Sequence, residues 1–504
     1  MIELKKIVIM KLKIFLILVS LGISFSTYAQ KKSKGKSKSK STSSYNIKIQ
    51  VTGVSDTVVY LGNYFGDKKY SIDTAQIDSK GVAIFKGDKK LDGGMYLVLF
   101  PSRGMSYFEF LVGDDQEFEI STDTSEFYQK NLQVKGSVDN EEFYAFQKQL
   151  NEVGKQLHEI QLRMQEKKDD KEFIEAEKEK LKKLSEQREE LIENTIKNSK
   201  SKTLITIVNL MREPKIPEFE VDDNIENKDS VLRIKKYYYY KNHFFDYIDL
   251  TDSVILRTPM FAPKFKQYMT QVIIQIPDSV TKAGVELIEK SKPNEQVFRY
   301  LVVYMLDYNN SSKLMGMDRV FVDIAKKYYL TGEATWAVED SSLMAKIKER
   351  VEKLEPNLVG NQAPDLQRLE TVDKKPISLY DIDAKYVIIA FWEPHCGHCK
   401  KAIPKLYSEY LEMIKKGVDV EVLSIYTQLD REPWEEFIKE KDITQWINAY
   451  DKYMFTNFRN MYDVYSTPTI YLLDKDKKII AKRLGPEQVQ KMILQLEGIK
   501  DTPK

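Results

Sequence analysis

Hydrophobic positions follow three successive patterns along the chain. From Tyr45 to Gly136 they alternate with polar ones. Ile47, Ile49 and Val51 are separated by Lys48 and Gln50, while Phe108, Phe110 and Val112 run into Gly113-Asp114-Asp115 before Phe118 and Ile120 resume. Period two broken by a polar turn is a strand–turn–strand pattern. Gly81, Gly87, Gly93, Gly94 and Gly104 punctuate further short strands, so residues 45–137 are expected to form a small antiparallel β-sandwich. From Asp139 the period lengthens. Phe143, Phe146, Leu150, Val153, Leu157, Ile160 and Met164 advance in steps of three and four, which is a heptad seam. Lys167-Lys168-Asp169-Asp170 interrupts it. A less regular set follows at Ile174, Leu181, Leu184 and Leu191, with Glu177, Arg188 and Thr195 at the seam positions between and after them. Two long helices folded into a hairpin account for both runs. One continuous coiled coil is the second reading, and a homodimer joined through this seam is its alternative use.

Residues 203–350 read as helical and aromatic-rich, completing an α-helical domain over 138–350. Tyr237 to Tyr240, Phe244, Phe245, Tyr247, Tyr268, Tyr304, Tyr328 and Tyr329 fall among charged residues and are expected to be core, with a stacking surface for sugars or bases as the rival reading. His243 is expected to be packed and His158 exposed. From Lys385 strands and helices alternate. Tyr386 to Trp392 is a buried-strand run. Ala402, Ile403, Leu406, Tyr410 and Met413 mark a helix after it. Val420 to Tyr426 is a second strand and Trp434 to Lys439 a short helix. Thr469 to Leu473 and Ile479 to Ala481 are two more strands joined by a polar turn, and Pro486 opens a last helix. The first strand–helix–strand unit is expected to be right-handed.

The N-terminus follows none of these periods. Lys5, Lys6, Lys11 and Lys13 precede an almost wholly apolar run from Ile14 to Phe25, and Thr27-Tyr28-Ala29 supplies small residues for a cut after Ala29. That is the layout of a secretory signal peptide over residues 1–29. The run is shorter than the roughly 18 residues of a spanning helix, which disfavours an uncleaved anchor. Residues 30–44, rich in Lys and Ser, read as a solvated linker. The chain is therefore expected in the periplasm or cell envelope.

Composition narrows the function. The 504 residues carry 78 Lys+Arg against 76 Asp+Glu, a net charge of +2. Removing the leader's four lysines and one glutamate turns this into −1, so no charge excess points to nucleic acid. The whole chain holds two cysteines, Cys396 and Cys399, three positions apart in Glu393-Pro394-His395-Cys396-Gly397-His398-Cys399-Lys400. A CxxC loop is too short to stabilise a fold much by restricting the unfolded chain. The two cysteines with His395 and His398 lie too close in sequence to surround one tetrahedral ion, so no metal is expected. Haem attachment needs a His where Lys400 stands. Thiol–disulfide exchange, in contrast, needs a thiolate, access and a second thiol nearby, and a CxxC where a strand passes into a helix supplies all three. Cys396, at the N-terminal end, is expected to be the nucleophile, favoured there by free N–H groups and the helix dipole. Cys399 is expected one turn inward, more buried, and placed to resolve the mixed disulfide. His398, with His395 before Cys396, can stabilise the thiolate when protonated.

Residues 357–498 resemble the thioredoxin-fold domains of the TlpA/ResA-like envelope oxidoreductases. The resemblance rests on Gly360 and Pro364 in the lead-in, Phe391-Trp392 before the Cys-Gly-His-Cys site with Gly397 and His398 between the cysteines, Pro404 in the following helix, and Ser466-Thr467-Pro468-Thr469. It implies a thioredoxin α/β fold, a cis Pro468 facing the cysteines, and protein thiol or disulfide substrates. It further implies no cofactor beyond a redox-active Cys396–Cys399 disulfide, and a membrane thiol–disulfide donor of electrons. Two acids of such families are replaced here: Ala390 stands two residues before Trp392, and Ala402 three after Cys399. The surrounding residues resemble reductases, while the Gly-His dipeptide is that of disulfide isomerases. The β-rich and helical segments resemble the uncharacterised domains that precede thioredoxin domains in large envelope proteins. A different class of reading makes that long scaffold a binding module, with the thioredoxin domain an accessory.

Overall fold

The structure is a computed structural model that describes residues 44–125, 131–222 and 224–499. The expected signal peptide and all but the last residue of the linker lie outside the described residues. The chain divides after Tyr268 into two compact units.

Among the described residues, the first unit begins with eight strands: β1 (Tyr45–Thr52), β2 (Val58–Phe65), β3 (Lys68–Gln76), β4 (Val82–Gly87), β5 (Gly94–Phe100), β6 (Ser106–Val112), β7 (Glu117–Asp123) and β8 (Gln133–Lys135). They form two four-stranded sheets, ordered β4-β1-β7-β8 and β3-β2-β5-β6. Alternation in β1 sends Tyr45, Ile47, Ile49 and Val51 inward, where they meet Val98, Phe100, Phe108 and Phe110 of the other sheet. One pairing departs from the antiparallel expectation: β1 runs parallel to β7. Side-chain alternation is the same in both pairing modes, so the pattern carried no sign of it.

Two long helices follow, α1 (Val138–Glu166) and α2 (Lys171–Asn198), antiparallel around the turn at 167–170. Ser137 and Asp170 cap their N-termini through their side chains. Phe143 and Phe146, which open the seam, pack with Leu97, Leu99 and Leu111 on the outer face of the second sheet. Glu177 tolerates its seam position because Arg163 reaches it at 2.8 Å and Lys180 at 2.7 Å. Packing of α1 on the sheet and on α2 accounts for the seam within one chain. Then come α3 (Lys202–Asn209), α4 (Lys228–His243) and α5 (Phe261–Gln267). Here one expectation is corrected. No residue of α4 is buried, and Tyr238 is half exposed, so Tyr237 to Tyr240 are not core. Four consecutive tyrosines cover every side of a helix and cannot all face inward. Phe244 and Tyr268 are buried as expected. His243 is half-buried, stacked on Tyr239 at 4.1 Å and 2.5 Å from Asp246, and His158 is exposed.

The second unit has five helices, α6 (Pro277–Ser291), α7 (Glu295–Asn310), α8 (Asp318–Ile324), α9 (Thr335–Val338) and α10 (Ser341–Leu354), ahead of an α/β domain. The helices expected as one domain over 138–350 are thus shared between the units, because the later ones are bonded to the α/β domain. Arg350 of α10 pairs with Asp463 at 2.7 Å, and Arg319 of α8 donates to the carbonyl of Val359 at 2.9 Å. Buried Lys482 donates to Asn357 at 2.7 and 2.9 Å and pairs with Asp318.

The α/β domain comprises β9 (Leu369–Thr371), β10 (Pro376–Ile377), β11 (Tyr386–Trp392), α11 (Cys399–Lys415), β12 (Val420–Tyr426), α12 (Arg431–Glu440), β13 (Ile447–Tyr450), α13 (Phe458–Met461), β14 (Thr469–Leu473), β15 (Ile479–Lys482) and α14 (Pro486–Leu496). Its seven strands are ordered β10-β9-β13-β12-β11-β14-β15, with β11, β12 and β13 parallel and β14 antiparallel to β11. β11 is buried on both faces, as a central strand covered by helices must be. Tyr386, Ile388, Ala390 and Trp392 enter one core with α11, α12 and α14, while Val387, Ile389 and Phe391 enter the other. This is the expected thioredoxin-like α/β domain at the C-terminus of a multidomain chain.

Candidate active site

The candidate site lies where β11 ends. Trp392 is fully buried, and its indole N–H donates to Ser424 Oγ at 2.7 Å on the neighbouring strand. Its ring packs 5.0 Å from that of Phe437. Trp392 thus anchors the strand end from inside the core. The chain then turns through 393–398, closed by Cys396 N–H donating to the carbonyl of Glu393 at 3.3 Å.

The helix begins at Cys399, three residues later than the motif suggested, and Cys396 occupies the turn before it. The expected favouring of its charge survives in another form, because the N–H of Cys399 points at Cys396 Sγ from 3.4 Å. Both cysteines are free thiols in this structure, Cys396 half-buried and Cys399 fully buried. The Cys396 thiol donates to the carbonyl of Thr467 at 3.1 Å, and the Thr467–Pro468 peptide is cis. The distant Thr-Pro dipeptide and the CxxC therefore meet in space.

The environments of the two thiols pull them apart. Burial acts to raise Cys396, yet contacts from Thr467 and Cys399 and the backbone N–H groups of Cys399 and His398 outweigh it and hold the thiol below its ordinary range. Burial pushes Cys399 up to about 12, and the neighbouring Cys396 adds to this. One sulfur is accessible and disposed to ionise; the other is sheltered and disposed to stay protonated. His395, Gly397 and His398 are exposed, and neither imidazole hydrogen-bonds a thiol among the described residues.

Two neighbours escaped the sequence reading. Glu393 brings a carboxylate into the turn, where Gln428 Nε2 donates to it at 2.8 Å and Thr467 Oγ1 lies 3.5 Å away. Its position directly after Trp392 was the available signal. Gln428 carried none, since it arrives from the end of β12. Of the two positions where those acids are replaced, Ala390 is buried in the core and Ala402 is half-buried.

This geometry, a central strand ending in a CxxC opposite a Thr-Pro loop, defines a thioredoxin-fold redox domain. Residues 359–482 match the AhpC/TSA family, residues 45–143 the domain of unknown function DUF4369, and residues 181–357 the domain of unknown function DUF5106. The thiol-disulfide oxidoreductase ResA of a Bacillus cereus strain is 32% identical over 140 residues, covering 28% of this chain and 75% of that protein. ResA of Oceanobacillus iheyensis is 31% identical over 125 residues, 24% of this chain and 62% of that one. Among solved structures, a domain of a possible thiol-disulfide isomerase from Cytophaga hutchinsonii is 39% identical over 28% of this chain and 94% of its own, with a TM-score of 0.26. A thioredoxin-like protein from Bacteroides caccae is 20% identical over 56% and 98%, with a TM-score of 0.43. Through its C-terminal domain the chain belongs to the ResA family of thiol–disulfide oxidoreductases.

Proposed function

We propose that the chain works outside the cytoplasm, in the periplasm or cell envelope, reducing disulfides of protein substrates through Cys396 and Cys399. The asymmetry of the two thiols beside Thr467-Pro468 is the observation that carries exchange at this pair, and the likeness of the surrounding residues to reductases favours the reducing direction. The Cys396 thiolate attacks one sulfur of a substrate disulfide; a bond forms between Cys396 and that sulfur, and the other substrate sulfur leaves as a thiolate that takes up a proton. Cys399 then loses its proton and attacks Cys396 Sγ, forming the Cys396–Cys399 disulfide and releasing the second substrate sulfur as a thiol. Two electrons pass from the cysteine pair to the substrate. A membrane thiol–disulfide donor returns them, and no further cofactor takes part. His398 and His395, when protonated, place positive charge beside the attacking sulfur. Gly397 faces open space between the cysteines, where a Cβ would meet nothing within 4 Å.

The test is trapping. With Cys399→Ser, a disulfide-bonded protein substrate should accumulate as a covalent adduct that reducing agent dissolves. Cys396→Ser should form none. An adduct on Cys396→Ser, or none on Cys399→Ser, contradicts the assignment.

A further inference from the structure

Among the described residues, the three most exposed large apolar side chains are Tyr453 (74%), Met454 (71%) and Tyr465 (66%). Phe455 stands half exposed beside the first two. These residues are not scattered. Because β11, β12 and β13 are parallel, their ends at Trp392, Tyr426 and Tyr450 lie along one edge of the sheet. The CxxC turn leaves the first, a segment with half-exposed Leu429 leaves the second, and Tyr453 to Phe455 leave the third. The antiparallel β14 brings its start, and with it Tyr465 to Pro468, to the same edge. Two strand spacings put the end of β13 about 10 Å from the end of β11.

The apolar loop is built rather than frayed. Asp451, 4% exposed, accepts hydrogen bonds from the N–H of Phe455 at 2.9 Å, the N–H of Thr456 at 2.8 Å and the hydroxyl of Thr456 at 2.7 Å. Met454 is held at φ 52° and Asn457 at φ 49°, and the first is a conformation a methionine adopts only when its surroundings impose it. The guanidinium of Arg368 stands 4.8 Å over the Phe455 ring, and Arg350 and Lys353 lie 5.5 Å from that of Tyr465. A fold that fixes apolar side chains in water along the sheet edge that also carries a reactive thiol presents them to a partner.

We propose that this edge is the substrate-docking surface, and that its occupant is an extended polypeptide segment carrying aromatic or large apolar residues about three positions from the cysteine being exchanged. The spacing is taken from the separation of the two strand ends that carry the thiol turn and the apolar loop: about 10 Å is three residues of extended chain. Such segments with accessible disulfides belong to incompletely folded proteins, since folded ones bury their apolar side chains. A small thiol such as glutathione would span none of this surface. The inference rests on thiol exchange at Cys396.

The test uses the full chain and two peptide disulfides, one with Phe three residues from its cysteine and one with Ser there, alongside a small aromatic disulfide. The wild-type chain should prefer the Phe peptide about tenfold in kcat/KM, the expected worth of burying one aromatic side chain. The triple variant Tyr453→Ser, Met454→Ser, Phe455→Ser should lose that preference, and Tyr465→Ser alone should reduce it. Equal use of both peptides by the wild type, or an unchanged preference in the triple variant, overturns the docking surface alone. A wild-type chain that reduces neither peptide nor the small disulfide overturns the exchange reading and this one with it.

Discussion

At pH 8 the reduced chain should alkylate at Cys396 and scarcely at Cys399. A thiol that titrates near 12 is about 10⁻⁴ ionised at pH 8, against about a quarter for an ordinary thiol near 8.5. Only the thiolate reacts, so ionisation alone slows Cys399 by about three powers of ten relative to a free cysteine, before its complete burial is counted. Cys396, held below the ordinary range, should react faster than a free cysteine at pH 7. The signs for stability are opposite. The lowered Cys396 stabilises the reduced fold above the ordinary thiol range, and that contribution is lost as pH falls through its folded value. The raised Cys399 stabilises the fold below the ordinary range, and its contribution is lost as pH rises toward about 12. The assay is timed alkylation of the reduced chain from pH 5 to 10, with each cysteine quantified by peptide mass. In Cys396→Ser, the neighbour that helps raise Cys399 is gone, and Cys399 should become more reactive. Equal rates at the two cysteines at pH 8, or faster reaction of Cys399, would refute the reasoning.

Three further outcomes follow from the same structure. His398→Ala should move the midpoint potential of the cysteine pair about 15–30 mV more negative, since it removes a side chain that favours the reduced thiolate form whenever it carries a proton; a redox titration reads the shift. Asp463→Asn should destabilise the second unit by about 3 kcal/mol, because the buried carboxylate pairs with both Arg350 and Arg483; denaturant unfolding measures it, and a change below about 1 kcal/mol would show the pairs to be neutral. Trp392→Ala should cost about 3–5 kcal/mol and release the strand end that carries the CxxC, so stability to unfolding and exchange rate should fall together.

Most of the α/β domain could be read in advance because its signals are local. A seven-residue buried strand, a CxxC, and a Thr-Pro before another strand are each visible within a few residues. The hairpin was equally legible, since a heptad seam and its polar interruption occupy consecutive sequence. The failures share a cause. β9, β10 and β13 are two to four residues long, too short to show a period, and exist because longer strands pair with them. The parallel β1–β7 pair and the bonds tying α8 and α10 to the α/β domain join residues far apart in the chain. The four tyrosines of α4 misled because hydrophobicity without period says nothing about which side is covered. At the candidate site, both cysteines and Thr467-Pro468 stand out as motifs in the sequence, while Glu393, Gln428 and the loop pinned by Asp451 acquire meaning only once strand order places them along one edge. The helix start moved from Cys396 to Cys399 because the turn needs 393–398 to leave the strand.

The central claim is that Cys396 and Cys399 are a reversible two-electron pair within the folded chain. Equilibrating the full chain in graded thiol/disulfide buffers, with the free thiols read by alkylation gel shift, tests it most directly. The account predicts a single transition with both thiols appearing together, at about −250 mV or lower for a reductase; a midpoint of about −180 to −120 mV would instead assign an isomerase or oxidant. A pair that fails to titrate, or does so only after the chain unfolds, would contradict the claim.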